Sequence, residues 1–372
     1  MREILIIRLS AIGDVIHCTP VAASLKAAWP DCRITWLVGE VAADLVRYSP
    51  HVDETIVWSR ERFERHLRDF QLRRAAAMWR ELRRILAGRR FNAVLDVHGL
   101  FLSGMIARLA ETDRRIGMSG AKELNALFMD ETAVPLGCHI TDRYLGVLRP
   151  LGIVPTERRM TLALPDEAAR AADGLLGELA LPRGRRLAVL APGTTWPAKN
   201  WPAALFARTA RQLAGDFAVV LCGGRAEAPL AREIAAAAGV RVANAAGRTG
   251  LLELAAILAK AAVVVAGDTG PLYMAAAVGT PTVGIFGPTD PARLAPPGER
   301  NAVVVSRQAC SFCFRRTCPR GAAACMSGVM PEQVVRQVYR VAGEGPVRTL
   351  PGEERRLDIG GRVGYDPRPR RP

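Results

Sequence analysis

Short runs of Ile, Val and Leu alternate along the chain with longer stretches in which apolar positions recur every three or four residues. Runs at 4–8, 33–38 and 93–97 read as strands, and the segments 15–28 and 60–90 between them read as helices. A run that is apolar on both faces suits a strand covered on both sides, and strand–helix–strand alternation builds a parallel sheet between layers of helices. The pattern weakens near 164–186, where Pro165, Gly174, Gly177, Pro182 and Gly184 punctuate a polar helix. It restarts with strands at 187–190, 217–221, 263–266, 282–286 and 302–305. The fold class expected is α/β: a Rossmann-like domain over 1–170, a second over 185–342, and a cleft where the two face each other. From 343 to 372 Gly, Pro, Arg and Glu dominate, which leaves little to bury, and a disordered tail is expected.

A length of 372 residues fits two domains. Hydrophobic residues make up 49% and charged residues 23%, an ordinary globular balance. No apolar run approaches the roughly 20 residues that span a bilayer. The start, Met1-Arg2-Glu3, enters a strand at Ile4 without the features of a signal peptide, so a cytoplasmic location is expected. Eight cysteines without a secretory signal favour free thiols or a metal site over a disulfide framework.

The net charge of +15 is concentrated, because residues 60–90 hold eleven arginines against Glu61, Glu64, Asp69 and Glu81. Guanidinium groups fork onto phosphates and carboxylates, which makes anionic partners one reading of this segment. A solvated helix face and a nucleic-acid surface are the other two.

Three loops carry candidate chemistry. Arg8-Leu9-Ser10-Ala11-Ile12-Gly13-Asp14 lies where the first strand passes to the first helix, at the sheet edge where ligands of such folds bind. Gly13 permits a tight turn or close backbone approach, and Asp14 is either a helix cap or a general base aimed into the cleft. Pro192-Gly193-Thr194-Thr195-Trp196-Pro197-Ala198-Lys199-Asn200 follows the strand at 187–190 and precedes a helix. Thr194, Thr195, Lys199 and helix-start amides together suit a diphosphate. Gly267-Asp268-Thr269-Gly270-Pro271 repeats the strand, turn, helix layout. There the Thr269 and Gly270 amides can meet a phosphate, and Asp268 can orient a hydroxyl or position Lys199. The chain contains no Asp-x-Asp pair to hold a divalent metal against a sugar diphosphate, so neutralisation falls to protein groups and no cofactor is called for. Neither a Walker loop nor a Gly-x-Gly-x-x-Gly follows the first strand, which disfavours ATPase and dehydrogenase readings.

With Gly279-Thr280-Pro281 and Phe286-Gly287-Pro288-Thr289, these motifs resemble the lipopolysaccharide heptosyltransferases, inverting enzymes of the GT-B fold, from Met1 to about Val341. The resemblance implies an ADP-heptose donor on the second domain and a Kdo-bearing lipid A core acceptor on the first, at the inner-membrane surface. Asp14 would take the acceptor proton, and Lys199 with Thr194 and Thr195 would hold the diphosphate. Glu227 would reach the ribose, while Arg60, Arg62, Arg65, Lys122 and Arg143 would meet acceptor phosphates and carboxylates. Nucleic acid is then not needed to explain the charge, and peripheral contact with the inner membrane is a further expectation. Two positions depart from the family pattern: Tyr273 stands where His is common, and His98 where Gln is frequent. Cys310, Cys313, Cys318 and Cys325 also match a family segment, either a packed reduced loop or a Cys₄ zinc site by spacing. The rival functions are a sugar-nucleotide epimerase of the same architecture, which needs no acceptor, and a basic module for nucleic acid or anionic surfaces.

Overall fold

The computed structural model describes residues 2–321 and 323–343. The expected tail beyond Gly343 lies outside them.

Two six-stranded sheets, parallel throughout, form the framework. In the first half the strands are β1 (Glu3–Ile7), β2 (Arg33–Val38), β3 (Glu54–Val57), β4 (Arg90–Phe91), β5 (Ala93–Asp96), β6 (Glu111–Thr112), β7 (Arg115–Met118) and β8 (Glu131–Ala133). The second half supplies β9 (Arg186–Ala191), β10 (Phe217–Leu221), β11 (Ala243–Asn244), β12 (Val263–Gly267), β13 (Thr282–Phe286) and β14 (Asn301–Val305). Their orders are β3-β2-β1-β5-β7-β8 and β11-β10-β9-β12-β13-β14, while β4 and β6 make a separate two-stranded ladder. Both sheets run outward in opposite directions from their first strand, the doubly wound arrangement with a crevice at the switch point. Ile7 pairs with Leu37 on one side and Asp96 on the other, and Ala191 pairs with Ala266, so the three candidate loops leave the sheets at these two switch points.

The strands form where the apolar runs predict them because no face of a central strand meets water. Leu5, Ile6 and Ile7 are fully buried, as are Val263, Val264 and Val265. One contiguous cluster of buried side chains runs from Ile4 and Ile6 through Val15 and Ile16 to Leu272, Tyr273 and Met274, joining the halves through the helices Ile12–Ala28 and Gly270–Ala277. The helix Asp166–Glu178, through which the expected boundary at 170 falls, packs on the helix Leu251–Lys260 of the second half. Lys260 bonds Asp173 at 2.8 Å there.

The segment 60–90, read as one helix, is two: Arg60–Arg68 and Leu72–Leu86. The first ends in a Schellman motif, with Gln71 N–H donating to His66 O at 2.8 Å and Phe70 N–H to Leu67 O at 3.2 Å. Phe70 takes the left-handed position of that motif with φ of 54°, where glycine is usual and an L side chain costs roughly 1–2 kcal/mol. Inward, Phe63 packs with Trp58 and Trp79, at ring separations of 5.1 and 5.9 Å, above buried Leu82 and Leu86. Outward, most of the arginines are exposed.

Candidate active site

A cavity of about 650 Å³ lies between the halves, walled by Gly13, Asp14 and His17 on one side and by Thr194, Lys199, Asp268 and Gly270 on the other. Thr195, Glu227 and Thr269 also line it.

The first wall starts from β1. The residue directly after it, Arg8, is buried, its Nη1 donating to Val97 O at 2.6 Å and its Nη2 meeting Asp14 Oδ2 at 2.9 Å. Tyr144 Oη donates to the other carboxylate oxygen at 2.6 Å, and the Arg8 guanidinium lies 4.9 Å above the Tyr144 ring. Asp14 is the third residue of the helix, whose N-cap is Ala11, so the capping reading reduces to one long contact from Ala11 N–H at 3.4 Å. Its side chain keeps 37% of its surface exposed. Burial opposes ionisation of this carboxyl, but the Arg8 charge and the Tyr144 hydroxyl outweigh it and hold the pKa below the ordinary carboxylate value. The group is an oriented carboxylate with one edge toward the cavity.

One turn on, His17 is buried against Tyr273, with ring centroids 4.4 Å apart, and its Nδ1 pairs with Thr141 Oγ1 at 3.2 Å. Burial, with His139 alongside, pushes it down to about 3, so the ring is neutral. Gly13 serves close approach: a Cβ there would lie 2.7 Å from Tyr273 Cδ2. Gly270 mirrors it, since a Cβ would lie 2.9 Å from Ile12 Cγ2. These two glycines let the helix starts of the two halves meet.

The second wall is built around Lys199. Its ammonium sits 2.7 Å from Asp268 Oδ2 and 4.1 Å above the Trp196 ring, at the end of the turn Pro197–Lys199. Asp268 accepts a second bond from Tyr273 Oη. Asp268 thus bridges the Lys199 ammonium and the Tyr273 hydroxyl. Thr194 Oγ1 contacts both Trp196 O, at 2.9 Å, and Asn200 Oδ1, at 2.6 Å, which ties the turn down. Thr269 is the N-cap of the helix Gly270–Ala277, and Pro271 removes one of that helix start's amides. Glu227 fits into a cradle of Gly193, Gly223 and Gly224, each of which would press on it if it carried a Cβ.

The residues expected on the acceptor side do not line this cavity, although Glu61 beside them does. Arg60 bonds Glu64 at 2.6 Å and His98 Nε2 at 3.1 Å, and Arg62 approaches Glu40 at 3.9 Å. Arg143 donates to Gly120 O at 3.0 Å, while Lys122 and Arg65 are exposed. Burial, with Arg8 and Arg60 nearby, drives His98 down to about 3. In the 310–325 segment Cys325 is buried and Cys313 exposed. Among the described residues no group of three or more metal-ligating side chains comes together. The segment braces the second wall: Arg316 O accepts from Ala198 N–H at 3.1 Å, and Phe314 lines the cavity.

Arg8, Tyr144 and His17 are not singled out by the sequence. Arg8 lies inside the first loop motif, where a charge at the end of an apolar strand is the available signal. Tyr144 lies 130 residues from Asp14, with no local mark.

Two Rossmann halves facing across a cleft, with an oriented carboxylate on one wall and a lysine-bearing turn on the other, have the architecture of the GT-B class. The profile of glycosyltransferase family 9 (heptosyltransferase) matches residues 79–324, and the chain belongs to that family. A lipopolysaccharide core heptosyltransferase, OpsX of Haemophilus influenzae, is 24% identical over 71% of this chain and 72% of its own. Lipopolysaccharide heptosyltransferase 1 of Pseudomonas aeruginosa is 28% identical over 70% and 71%. Among solved structures, the E. coli heptosyltransferase WaaC with ADP superposes with a TM-score of 0.70 at 23% identity, covering 89% of this chain and 97% of that one. Among the described residues no helix is long and apolar enough to cross a membrane.

Proposed function

We propose that this enzyme transfers heptose from ADP-heptose to the Kdo/heptose inner core of lipopolysaccharide, with inversion at the anomeric carbon. The observation that carries the reading is the placing of Asp14 and Lys199 on opposite walls of one cavity. A base and a leaving-group cation on facing walls suit a single in-line displacement.

The second half, 185–342, binds the donor. Lys199, the Thr194–Thr195 loop and the Thr269 and Gly270 amides receive the diphosphate, Glu227 the ribose, and Asp268 holds the ammonium in place. The first half, 1–170, binds the acceptor, with Arg60, Arg62, Arg65, Lys122 and Arg143 facing its phosphates and carboxylates. Asp14 accepts the hydroxyl proton as that oxygen attacks, while negative charge grows on departing ADP next to Lys199. The ion pair with Arg8 makes Asp14 a weak base in isolation, so its proton transfer must follow C–O bond formation, when the oxygen has become acidic. The acceptor is lipid-linked, and the enzyme works in peripheral contact with the inner membrane, on its cytoplasmic side.

The relatives named as lipopolysaccharide heptosyltransferases and the ADP complex of a neighbour support this assignment. The test is acceptor dependence. ADP release from ADP-heptose should appear only when a Kdo-bearing acceptor is added; release or epimerisation of donor alone would favour the epimerase.

A further inference from the structure

The joint between the helices Arg60–Arg68 and Leu72–Leu86 carries a feature that neither the cavity nor the core explains. Its backbone is closed by the Schellman bonds and by His66 Nδ1 against Gln71 Oε1 at 2.8 Å, so the turn needs nothing from the side chain at position 70. Yet that position, where glycine is usual, holds Phe70, 86% exposed in a left-handed backbone. Leu72 beside it is 62% exposed and Leu67 is 44% exposed. The apolar demand of these helices is already met on the opposite face by Phe63, Trp79, Leu82 and Leu86. Arg68, Arg73 and Arg74 stand around the tip, all exposed, against the single carboxylate of Asp69.

An apolar tip inside a collar of arginines complements a surface that is anionic outside and hydrocarbon a few ångströms below. Nucleic acid would satisfy the arginines but would leave three large apolar side chains against phosphate and water. We propose that this joint docks on an anionic lipid bilayer, with Leu67, Phe70 and Leu72 at the headgroup–acyl boundary and the three arginines on lipid phosphates. The inference rests on the reading of the acceptor as lipid-linked and adds which surface of the enzyme faces the membrane. Each arginine held near an anionic leaflet raises partitioning about fivefold, and an inserted aromatic ring about tenfold.

The experiment is co-sedimentation of the full chain, without sugar substrates, with phosphatidylglycerol/phosphatidylcholine vesicles and with phosphatidylcholine alone. Binding is expected to the anionic vesicles, weakened by salt. Phe70→Gly should lose about tenfold while melting at or above the wild-type temperature, because glycine relieves the left-handed backbone, and Leu72→Gln should lose several-fold. Both variants should keep wild-type turnover on a water-soluble truncated acceptor. A wild-type enzyme with no turnover on that acceptor would instead indict the transfer reading, whatever the vesicles show. The proposal is overturned if the wild type ignores phosphatidylglycerol vesicles, if Phe70→Gly binds them as the wild type does, or if duplex DNA competes the protein off them at nanomolar concentration.

Discussion

Asp14 is held by two partners of different kinds, and each has a consequence. The Arg8 charge keeps the carboxylate ionised, and the Tyr144 hydroxyl fixes its plane. Replacement by Ala should lower turnover by on the order of 10²–10⁴. Affinity for ADP should stay within a few-fold, which calorimetry can check; a turnover loss of only a few-fold would reduce Asp14 to a structural partner of Arg8. The sign of its shift also sets a pH profile. A carboxyl whose native pKa lies below the ordinary 3.8 stays charged as pH falls through 5, and its stabilising contribution, full above the unfolded-state value, fades as pH falls from there through the native one. His17 and His98, pushed down to about 3, are neutral over the same range. kcat/KM should therefore be flat from pH 5 to 8 as far as these groups are concerned. An acidic limb with an apparent pKa near 6, lost in a His17 or His98 variant, would contradict this electrostatic picture.

Among the elements, the two walls of the cleft predict a division of labour. Lys199→Ala should raise the donor KM and slow the chemical step, because it removes a cation placed where leaving-group charge develops. Replacing Arg60, Arg62 and Arg65 together by Ala should weaken the acceptor and spare ADP binding. Kinetics at varied acceptor, with ADP calorimetry, separates the outcomes: loss of ADP affinity in the triple variant would invert the assignment of halves to substrates. Central strands and the loops at their ends were legible in the sequence, since a strand buried on both faces must be apolar throughout and a loop at a switch point carries its own polar and glycine residues. The short strands β3, β7, β8 and β11 were not, because Glu54–Val57 and Ala243–Asn244 mix polar and apolar residues and are held by pairing with a neighbour. The helix break at Phe70 escaped for a related reason: the residue that usually announces a Schellman motif is absent from it. Partners of the site residues that are distant in sequence, such as Tyr144 for Asp14, leave no periodic trace.

For the whole molecule, the meeting of Gly13 with Tyr273 and of Gly270 with Ile12 sets how closely the two halves approach. His139 Nε2 reaches Ala295 O across the same junction at 3.1 Å. Gly13→Val would drive methyl groups into the buried Tyr273 ring, an overpacking that costs about 1–3 kcal/mol. It should lower the melting temperature by several degrees and depress kcat/KM, as the walls carrying Asp14 and Lys199 are forced apart. Unchanged melting and turnover would mean that the halves already adjust freely. The central claim, heptose transfer onto a lipopolysaccharide core by Asp14 and Lys199 acting from opposite walls, is tested most directly by the mass of the acceptor itself. Incubated with ADP-heptose and a truncated, Kdo-bearing core, the wild-type enzyme should add one heptosyl unit to the acceptor, and both Asp14→Ala and Lys199→Ala should slow that addition at least a hundredfold at saturating substrates. An acceptor of unchanged mass with the wild type, or full conversion by the Asp14 variant at the wild-type rate, would contradict the account.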